Sequence, residues 1–334
     1  MTCPCLHDLS PQWAHFCLGI EHFIERELDT RIHGKTLVLA YSTGLDSTAL
    51  VYLLSILAPR LNLRLVGATL DHKLRPEAAR EQTIAQTTCA RLGIPFEGQA
   101  RDVRAIARQK SQGLEETARS ERYQFLEAVR IRHNAHFILT AHQADDLAED
   151  LLMRLIRGTG WPALGGMPGV DHHRHLLRPL LGTPKKRLLA FLKHLGIGWE
   201  EDPSNTDTSF LRNRIRTTIL PLFLQENPGF LNNVQQLWQG AQTDRRFWDR
   251  RMKNLVGDTP TTIPADLADL DKAERCRLIK HALEGMGPGQ PLAASIFKLD
   301  DLWQHKATGK TVQFPGNKTA TITRQGIVLE MKER

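Results

Sequence analysis

Residues 37–54 read L-V-L-A-Y-S-T-G-L-D-S-T-A-L-V-Y-L-L, and this stretch decides the fold. An apolar strand is followed by a short polar turn and then by an apolar helix. The turn offers backbone N–H groups and small hydroxyls, and the helix start adds the positive end of its dipole. Asp46 lies in the first helical turn, where a carboxylate can hold magnesium against a triphosphate. The stretch therefore predicts a phosphate-binding loop.

A Walker-type loop is the nearest competitor for this interpretation. Such a loop carries a glycine five residues before its G-K-T triplet. The triplets at residues 34–36 and 309–311 have Asp29 and Gln304 at that position, so both are excluded. The structural alternative is an ordinary strand-to-helix turn closed by an N-cap.

Strands and helices alternate outward from this stretch. The pattern predicts strands at residues 37–40, 63–70, 94–96, 136–140 and 175–177, with helices between them. This order is typical of an α/β fold, a doubly wound and mainly parallel five-stranded sheet. If the first three strands run outward on one side, the fourth returns beside the first. The loops after Ala40 and Thr140 then become neighbours at the edge where ligands bind.

The remainder of the chain predicts a second, smaller domain. A Gly- and Pro-rich segment at residues 157–171 is typical of an ordered loop or lid. Beyond residue 220, helical patterns at 234–256 and 273–283 precede alternating strands at 311–316 and 320–330. We therefore expect a catalytic domain at residues 1–220 and a helical plus β domain at residues 221–334.

The composition is that of a globular chain with a basic surplus. Its 334 residues carry a net charge of +7 and a pI near 9.3. Basic surfaces collect phosphates through counterion release, so we expect a polyanionic partner. No apolar run of about 18 residues could span a bilayer, and no secretory signal opens the chain. We expect a cytoplasmic protein without a membrane partner. Five cysteines without a C-x-x-C pair argue against a disulfide framework.

Three further segments carry residues that can do chemistry. In A-H-Q-A-D-D-L-A-E-D (141–150), helical spacing places His142, an aspartate and Glu149 on one face beside the phosphate loop. Helix caps explain the same acidic residues equally simply. The other two segments hold Glu116, Arg119 and Tyr123, and then Glu201, Asp202, Asn205, Arg212, Asn213 and Arg216. A solvated helix face and a capping turn are their structural alternatives.

These segments, in this order, resemble the tRNA(Ile)-lysidine synthetases of the PP-loop ATPase superfamily. The resemblance covers about residues 37–220, roughly half of the chain. The loop S-T-G-L-D-S-T (42–48) matches the family's S-G-G-x-D-S except at Thr43. The other matching segments are A-H-Q-A-D-D-L-A-E-D, R-G-T-G (157–160), L-L-R-P-L (176–180), E-D-P-S-N (201–205) and R-N-x-x-R (212–216).

The resemblance implies a ligase that attaches free L-lysine to the wobble cytidine of the isoleucine tRNA with a CAU anticodon. ATP, with Mg²⁺, would first adenylate the C2 oxygen of the cytosine, and the lysine ε-amine would then displace AMP. The C-terminal region would hold tRNA. A homodimer is one candidate assembly.

The resemblance also implies roles for individual residues. Asp46, His142 and Asp146 would be catalytic, and Asp46 would hold Mg²⁺. The ATP and pyrophosphate group would be Ser42, Thr43, Gly44, Leu45, Asp46 and Ser47. Glu116, Asp145 and Glu149 are candidates for binding lysine. Arg119, Arg157, Arg212 and Arg216 are candidates for contacts with the nucleotide or the tRNA.

Two alternative functions remain open at this point. A PP-loop tRNA modifier of the 2-thiolation type shares the loop but generally uses cysteines. A tRNA-binding paralogue without catalysis would be marked by Thr43. If φ is positive there, a β-branched residue costs about 1–3 kcal/mol. Because the magnesium and acidic residues are intact, we expect a negative φ, with the Thr43 hydroxyl as an extra donor.

Overall fold

The computed structural model describes residues 5–74, 77–201 and 210–331. Two compact units divide the chain, Met1–Ala241 and Gln242–Arg334. The division falls within a long helix, α10 (Phe230–Val256), whose residues Val234 and Trp238 pack in the core of the first unit. The first unit therefore extends past the boundary that we predicted at residue 220.

A six-stranded sheet forms the centre of the first unit. Its strands are β1 (Thr36–Ala40), β2 (Arg64–Asp71), β3 (Phe96–Ala100), β4 (Phe137–Leu139), β5 (Val170–Asp171) and β6 (Leu176–Leu177). They follow the order β3-β2-β1-β4-β6-β5, and each pair is parallel except β5 with β6. The doubly wound, mainly parallel α/β fold is confirmed, including the return of the fourth strand beside the first.

The prediction of five strands was wrong by one. The sixth, β5, has two residues, too few for an alternating pattern to show in the sequence. The third strand begins at Phe96 and not at Ile94, and its residues are half-buried or exposed. A strand at the edge of a sheet buries little apolar surface, so its hydrophobic pattern is weak.

Helices cover both faces of this sheet. They are α1 (Pro11–His22), α2 (Leu45–Leu61), α3 (Glu77–Arg91), α4 (Val103–Lys110), α5 (Leu114–Arg132), α6 (Ala144–Ile156), α7 (Lys185–His194), α8 (Leu211–Arg214) and α9 (Leu220–Glu226). Helix α2 is buried nearly all round because α1 and α7 pack on it from outside the sheet. Such a helix lacks a polar face, as its sequence does.

Helix α5 lies on the opposite face of the sheet. Phe125, Leu126 and Val129 of α5 form one core cluster with Val38 and Ile138 of the sheet. Near its middle, Arg122 contacts His72, which follows β2. Near its end, Arg130 donates to the carbonyl of Ala135, which precedes β4. The helix therefore runs antiparallel to the strands, and its first half lies at their carboxyl edge.

Residues 157–171 form an ordered loop with a 3-10 turn at Ala163–Gly165. Three side chains hold its backbone. Arg154 donates to Ala163 O at 3.0 Å, Trp238 to Met167 O at 2.9 Å and Arg178 to Pro168 O at 2.7 Å.

The second unit combines helices with an antiparallel sheet. Helices α11 (Lys272–Gly285) and α12 (Ala293–Gln304) accompany β7 (Thr262–Pro264), β8 (Thr311–Phe314), β9 (Lys318–Thr323) and β10 (Gly326–Met331). The strand order is β7-β10-β9-β8. The helical plus β content is confirmed, but we predicted one strand at 320–330 where a turn separates β9 from β10. Gly326, the first residue of β10 after this turn, has a φ of +126°, which favours glycine.

Lys318 is a buried cation in this second unit. It is 1% exposed, and its ammonium donates to the carbonyls of Leu283, Gly287 and Gly289. These bonds satisfy backbone carbonyls at and after the end of α11.

Across the described ranges, no helix is long and apolar enough to cross a bilayer.

Candidate active site

The phosphate loop predicted at residues 42–47 joins β1 to α2. Gly44 is the N-cap of α2 and supplies no capping side chain. The first-turn N–H groups of a helix have no partner within the helix itself. Ser47 does not cap them, because its hydroxyl donates back to Gly44 O at 3.1 Å and accepts from Ser42 N at 3.2 Å. The α2 start is therefore open toward an anion.

Thr43 adopts a left-handed conformation with a φ of +61°, so our expectation of a negative φ was wrong. Two groups hold its carbonyl: Thr48 donates its hydroxyl at 3.1 Å and Glu200 its backbone N–H at 3.0 Å. The Thr43 hydroxyl donates to Ser42 O at 2.7 Å, and the residue is 1% exposed. This hydroxyl is consequently engaged within the loop and is not an extra donor for a ligand.

Asp46 is half-buried in the first turn of α2. Its Oδ1 is buried and has no hydrogen-bond partner among the described residues. Its pKa is raised to about 6, chiefly by burial and then by the Asp146 and Asp145 carboxylates, while Lys185 and Arg216 oppose the increase. A cation bound at Asp46 would offset these costs. The residue therefore fits a magnesium ligand.

The start of α6, which follows the neighbouring strand β4, is closed by its own side chains. Gln143 Oε1 accepts the N–H of Asp145 at 2.6 Å, and Asp146 Oδ2 accepts the N–H of Gln143 at 3.0 Å. This reciprocal arrangement is a capping box. One oxygen of Asp146 is thus used by the helix itself.

Arg212 and Arg216 cover the acidic face of α6. Arg212 Nε lies 2.7 Å from Glu149 Oε2 and its Nη2 lies 2.8 Å from Asp146 Oδ1. Arg216 Nε donates to Glu149 Oε1 at 2.6 Å. Glu149 is 1% exposed, so its charge is balanced by these two guanidiniums. Burial opposes the charge of Arg212, but Asp146 and Glu149 outweigh it and raise its pKa.

Arg216 lies in an irregular segment. Residues Ile215–Ile219 form a π-helical turn between α8 and α9. Such turns are rare and are often found at functional sites. Asp202 and Asn205, which the sequence placed near these arginines, lie outside the described residues.

Asp145 is the first-turn acidic residue of α6 that neither arginine contacts. It is half-buried, and its Oδ2 accepts the backbone N–H of Lys185 at 2.9 Å. Its pKa is raised, chiefly by burial and then by the Asp146 and Glu149 charges, while the N–H groups of Lys185 and Asp145 oppose the increase.

His142 lies in the loop that joins β4 to α6. Its Nδ1 is 2.9 Å from the Thr140 hydroxyl. Its pKa is lowered to about 3, chiefly by burial and then by the charges of Arg178, Arg212, Arg119 and Arg122. The imidazole is therefore neutral near pH 7, with a hydrogen-bonding role but no charge.

Three of the predicted residues, Glu116, Arg119 and Arg157, lie outside the group formed at the starts of α2 and α6. Glu116 and Arg119 are exposed in the first half of α5, and Arg119 lies over the Tyr123 ring. Arg157 is exposed just beyond the last residue of α6. A helix of this length places Arg157 about 20 Å from the α6 start. The structure does not bring it to the phosphate loop.

The sequence interpretation gave no role to three residues at this edge, Gln143, Arg178 and His72, and it placed Lys185 only on a basic surface for tRNA. Lys185 acts on Asp46 and binds Asp145 through its backbone, while Gln143 caps α6. Arg178 and His72 directly follow strands β6 and β2. Their positions after apolar strands were the available signal, because the carboxyl ends of parallel strands meet at one edge.

Comparisons with known proteins identify the family of the chain. A family model described as a PP-loop domain matches residues 19–223. A tRNA(Ile)-lysidine synthase of Nitratidesulfovibrio vulgaris is 43% identical over 314 residues, which cover 87% of this chain and 90% of that protein. One of Geobacter sulfurreducens is 41% identical over 224 residues, covering 67% of this chain and 47% of that protein. The second relative is thus about twice as long as the matched region.

A solved structure with a similar fold is the U34-tRNA thiolase NcsA of Methanococcus maripaludis with its [4Fe-4S] cluster. It superposes with a TM-score of 0.56 at 17% identity, covering 69% of this chain and 79% of the thiolase. At this identity the likeness concerns the fold alone.

The fold and the open α2 start define a PP-loop ATP-binding protein. Within that class, the chain belongs to the tRNA(Ile)-lysidine synthase family, whose members are ligases. Two of its cysteines, Cys17 and Cys89, are fully buried, and burial raises the pKa of each to about 12. Neither thiol is suited to the sulfur chemistry of the thiolation alternative.

Proposed function

We propose that this protein uses ATP and Mg²⁺ to join free L-lysine to the wobble cytidine of tRNA(Ile) with a CAU anticodon. In the first step the C2 oxygen of the cytosine attacks the α-phosphate of ATP, and pyrophosphate leaves. In the second step the lysine ε-amine attacks C2, and AMP leaves with the oxygen. Activation turns a poor leaving group into a good one, which is the purpose of spending ATP.

The open start of α2, where an Asp46 oxygen has no partner among the described residues, is the observation that carries this proposal. The N–H groups of the first turn would bind the pyrophosphate part of ATP, assisted by Ser42 and Ser47. Asp46 would hold the magnesium ion, which when bound supplies positive charge against the phosphates. Thr43 shapes this loop through its backbone, because its own hydroxyl is engaged.

For the lysine substrate, we propose Asp145 as the principal acidic contact. Glu149 and one oxygen of Asp146 are occupied by Arg212 and Arg216, so an amine at Glu149 would have to displace a guanidinium. Asp145 is free of both arginines, and its raised pKa favours taking a proton from the lysine ammonium. Glu116 remains a second candidate on the rim.

His142 would orient a reacting group by hydrogen bonding. Its pKa of about 3 makes it a weak base and keeps it uncharged beside the arginines. Arg212 would contact the nucleotide or the tRNA while it stays anchored on the α6 acids. Because both ATP and tRNA are cytoplasmic molecules, we propose that the reaction takes place in the cytoplasm. The assembly, including a homodimer, can be measured by light scattering.

The deciding experiment incubates the protein with ATP, magnesium, labelled lysine and the CAU tRNA. We expect one AMP and one pyrophosphate for each lysine incorporated. The matched control is the same tRNA with uridine at the wobble position, which should incorporate none. Arg212→Ala should mainly raise the KM for tRNA or lysine. Absence of incorporation under conditions where the CAU tRNA still binds would overturn the proposal.

A further inference from the structure

An arginine cluster surrounds Tyr123 on the α5 side of the same sheet edge. We define it as Arg119, Arg122, Arg174 and Arg178; only Arg119 has been considered above as a ligand contact. The guanidiniums of Arg119 and Arg174 lie 5.1 and 5.8 Å from the centre of the Tyr123 ring. Arg122 Nη2 lies 3.2 Å from His72 Nε2. One aromatic ring thus lies at the centre of several positive charges.

Within the described part of the chain, these four arginines lack acidic partners. In the ranges that the structure describes, none of them forms an ion pair with a carboxylate, whereas Arg101, Arg212 and Arg216 do. Two carboxylates lie nearby. Glu121 is already bound by Arg101 and Lys110, and Asp171 Oδ1 accepts the backbone N–H of Arg174 at 3.1 Å. The cluster therefore carries a local excess of positive charge.

Arg178 makes this excess costly. It is 5% exposed, and its buried Nε has no acceptor among the described residues, although Nη1 donates to Pro168 O. Burial lowers its pKa, Arg119 lowers it further, and Tyr123 and Asp171 oppose them. A buried guanidinium without a counter-charge is destabilising, and a nearby anion would offset that cost.

The position of the cluster identifies the anion. Strands β2, β1, β4 and β6 are neighbours, and their carboxyl ends lead to His72, the phosphate loop, His142 and Arg178. The triphosphate of ATP has its binding site at the α2 start, on the other face of the sheet. A separate group of arginines across His142 therefore suits a second phosphate-bearing substrate.

We propose that the arginine cluster binds a backbone phosphate of the RNA beside the nucleotide that is modified. This inference rests on the proposed function. Guanidinium forks match phosphate oxygens, and the Tyr123 ring offers a surface for a sugar or base. Such contacts position a strand without reading its sequence. The cluster thereby directs the wobble base across His142 toward ATP.

The test measures binding without catalysis. Arg122→Gln and Arg174→Gln, singly and together, change exposed side chains, so the fold should be retained. We expect weaker binding of the CAU tRNA transcript and a salt-dependence slope reduced by about 0.7 for each arginine removed, the value for single-stranded contacts. The dissociation constant for ATP should not change. Arg64→Gln, an exposed arginine at the opposite edge of the sheet, is the matched control and should leave both constants unchanged.

An unchanged slope for tRNA in the double variant would overturn the inference. A loss of ATP affinity with unchanged tRNA binding would also overturn the inference, because the arginine cluster would then bind a phosphate of ATP and not one of the RNA. Arg178→Lys, which keeps the charge, should bind tRNA more tightly than Arg178→Met at equal thermal stability. Lysine incorporation by the unaltered chain tests the proposed function separately, so the two can fail independently.

Discussion

The two helix starts at the carboxyl edge of the sheet, α2 and α6, differ in how their polar groups are satisfied. At α2 the N-cap is a glycine, and the first-turn carboxylate of Asp46 has an oxygen without a described partner. At α6, Gln143 and Asp146 cap the helix, and Arg212 and Arg216 neutralise Asp146 and Glu149. Both starts are acidic and both follow buried strands. Only the α6 start, however, is capped and paired by described side chains without a ligand.

This difference separates a helix start that can bind a ligand from a helix start that supports its neighbours. A helix start with open N–H groups and an unsatisfied carboxylate gains stability when phosphate and a cation bind. A start that is capped and paired gains little from a ligand, but it holds its neighbours in place. We therefore infer that ATP chemistry takes place at α2, and that α6 and its arginines, apart from the lysine contact proposed for Asp145, form the fixed wall of the site.

Asp46→Asn should have the largest effect on activity. It removes the carboxylate that fits magnesium, so AMP release should fall by about 100- to 1,000-fold or more. Stability at pH 7 should be equal or higher, because burial makes the Asp46 charge costly in the folded state. Initial rates of AMP release and a urea unfolding curve would check this. Asp271→Asn, at the start of α11 in the second unit, is the control and should keep full activity.

Glu149→Gln should have the largest effect on stability. It leaves Arg212 and Arg216 beside a neutral group, so the free energy of unfolding should fall by about 3 kcal/mol. Removing one partner of a buried ion pair lowers the free energy of unfolding by a range of values. We choose the low end of that range because the side chains of Arg212 and Arg216 are 39% and 30% exposed. Glu127→Gln removes the partner of Arg130 in a more exposed pair and should cost about 1 kcal/mol or less. Equal losses in the two variants would contradict a supporting role for Glu149.

The same comparison shows what the sequence could and could not predict. The phosphate loop was predictable because strand, turn and helix are local patterns. The meeting of the loops after β1 and β4 followed from the rules of parallel sheets. The arginine contacts on Glu149 were not predictable, since they join residues 63 and 67 positions apart. Helical spacing placed Asp146 and Glu149 on one face but could not show which charges oppose them.

The conformation of Thr43 was also beyond local prediction. Its carbonyl is held by Thr48 and by Glu200, the latter more than 150 positions along the chain. These bonds fix the backbone even though threonine is unfavourable at a positive φ. The hydrophobic pattern carries no information on such contacts, and an analogous limit applies to the two-residue strand β5.

Substitutions at Thr43 should have a smaller effect on stability. They test how the loop that leads into the open α2 start is held. Thr43→Val keeps the β-branch but loses the hydroxyl bond to Ser42 O, so unfolding should become easier by about 1 kcal/mol. Thr43→Gly loses the same bond but relieves the left-handed strain of about 1–3 kcal/mol, so it should be the more stable of the two. AMP release should be retained in Thr43→Gly. A glycine variant less stable than the valine variant would show that the strain is absent.

The smallest effect concerns His142, in the loop that joins β4 to α6, and appears as a pH dependence. Burial, assisted by four arginines, lowers its pKa to about 3 from an ordinary value of 6.5. Below pH 6.5 the unfolded chain therefore binds a proton that the folded chain does not, and stability falls as the pH falls. The loss should reach about 1.4 kcal/mol one unit below the ordinary value.

Urea unfolding at about pH 7.5 and about pH 5.5 should show that His142→Asn loses about 1 kcal/mol less than the unaltered protein. His72 and Asp46, whose pKa values also shift, are present in both proteins and cancel in this difference. Equal losses in the two proteins would mean that His142 gains its proton as readily in the fold as outside it, and the wall at α6 would then be open to water.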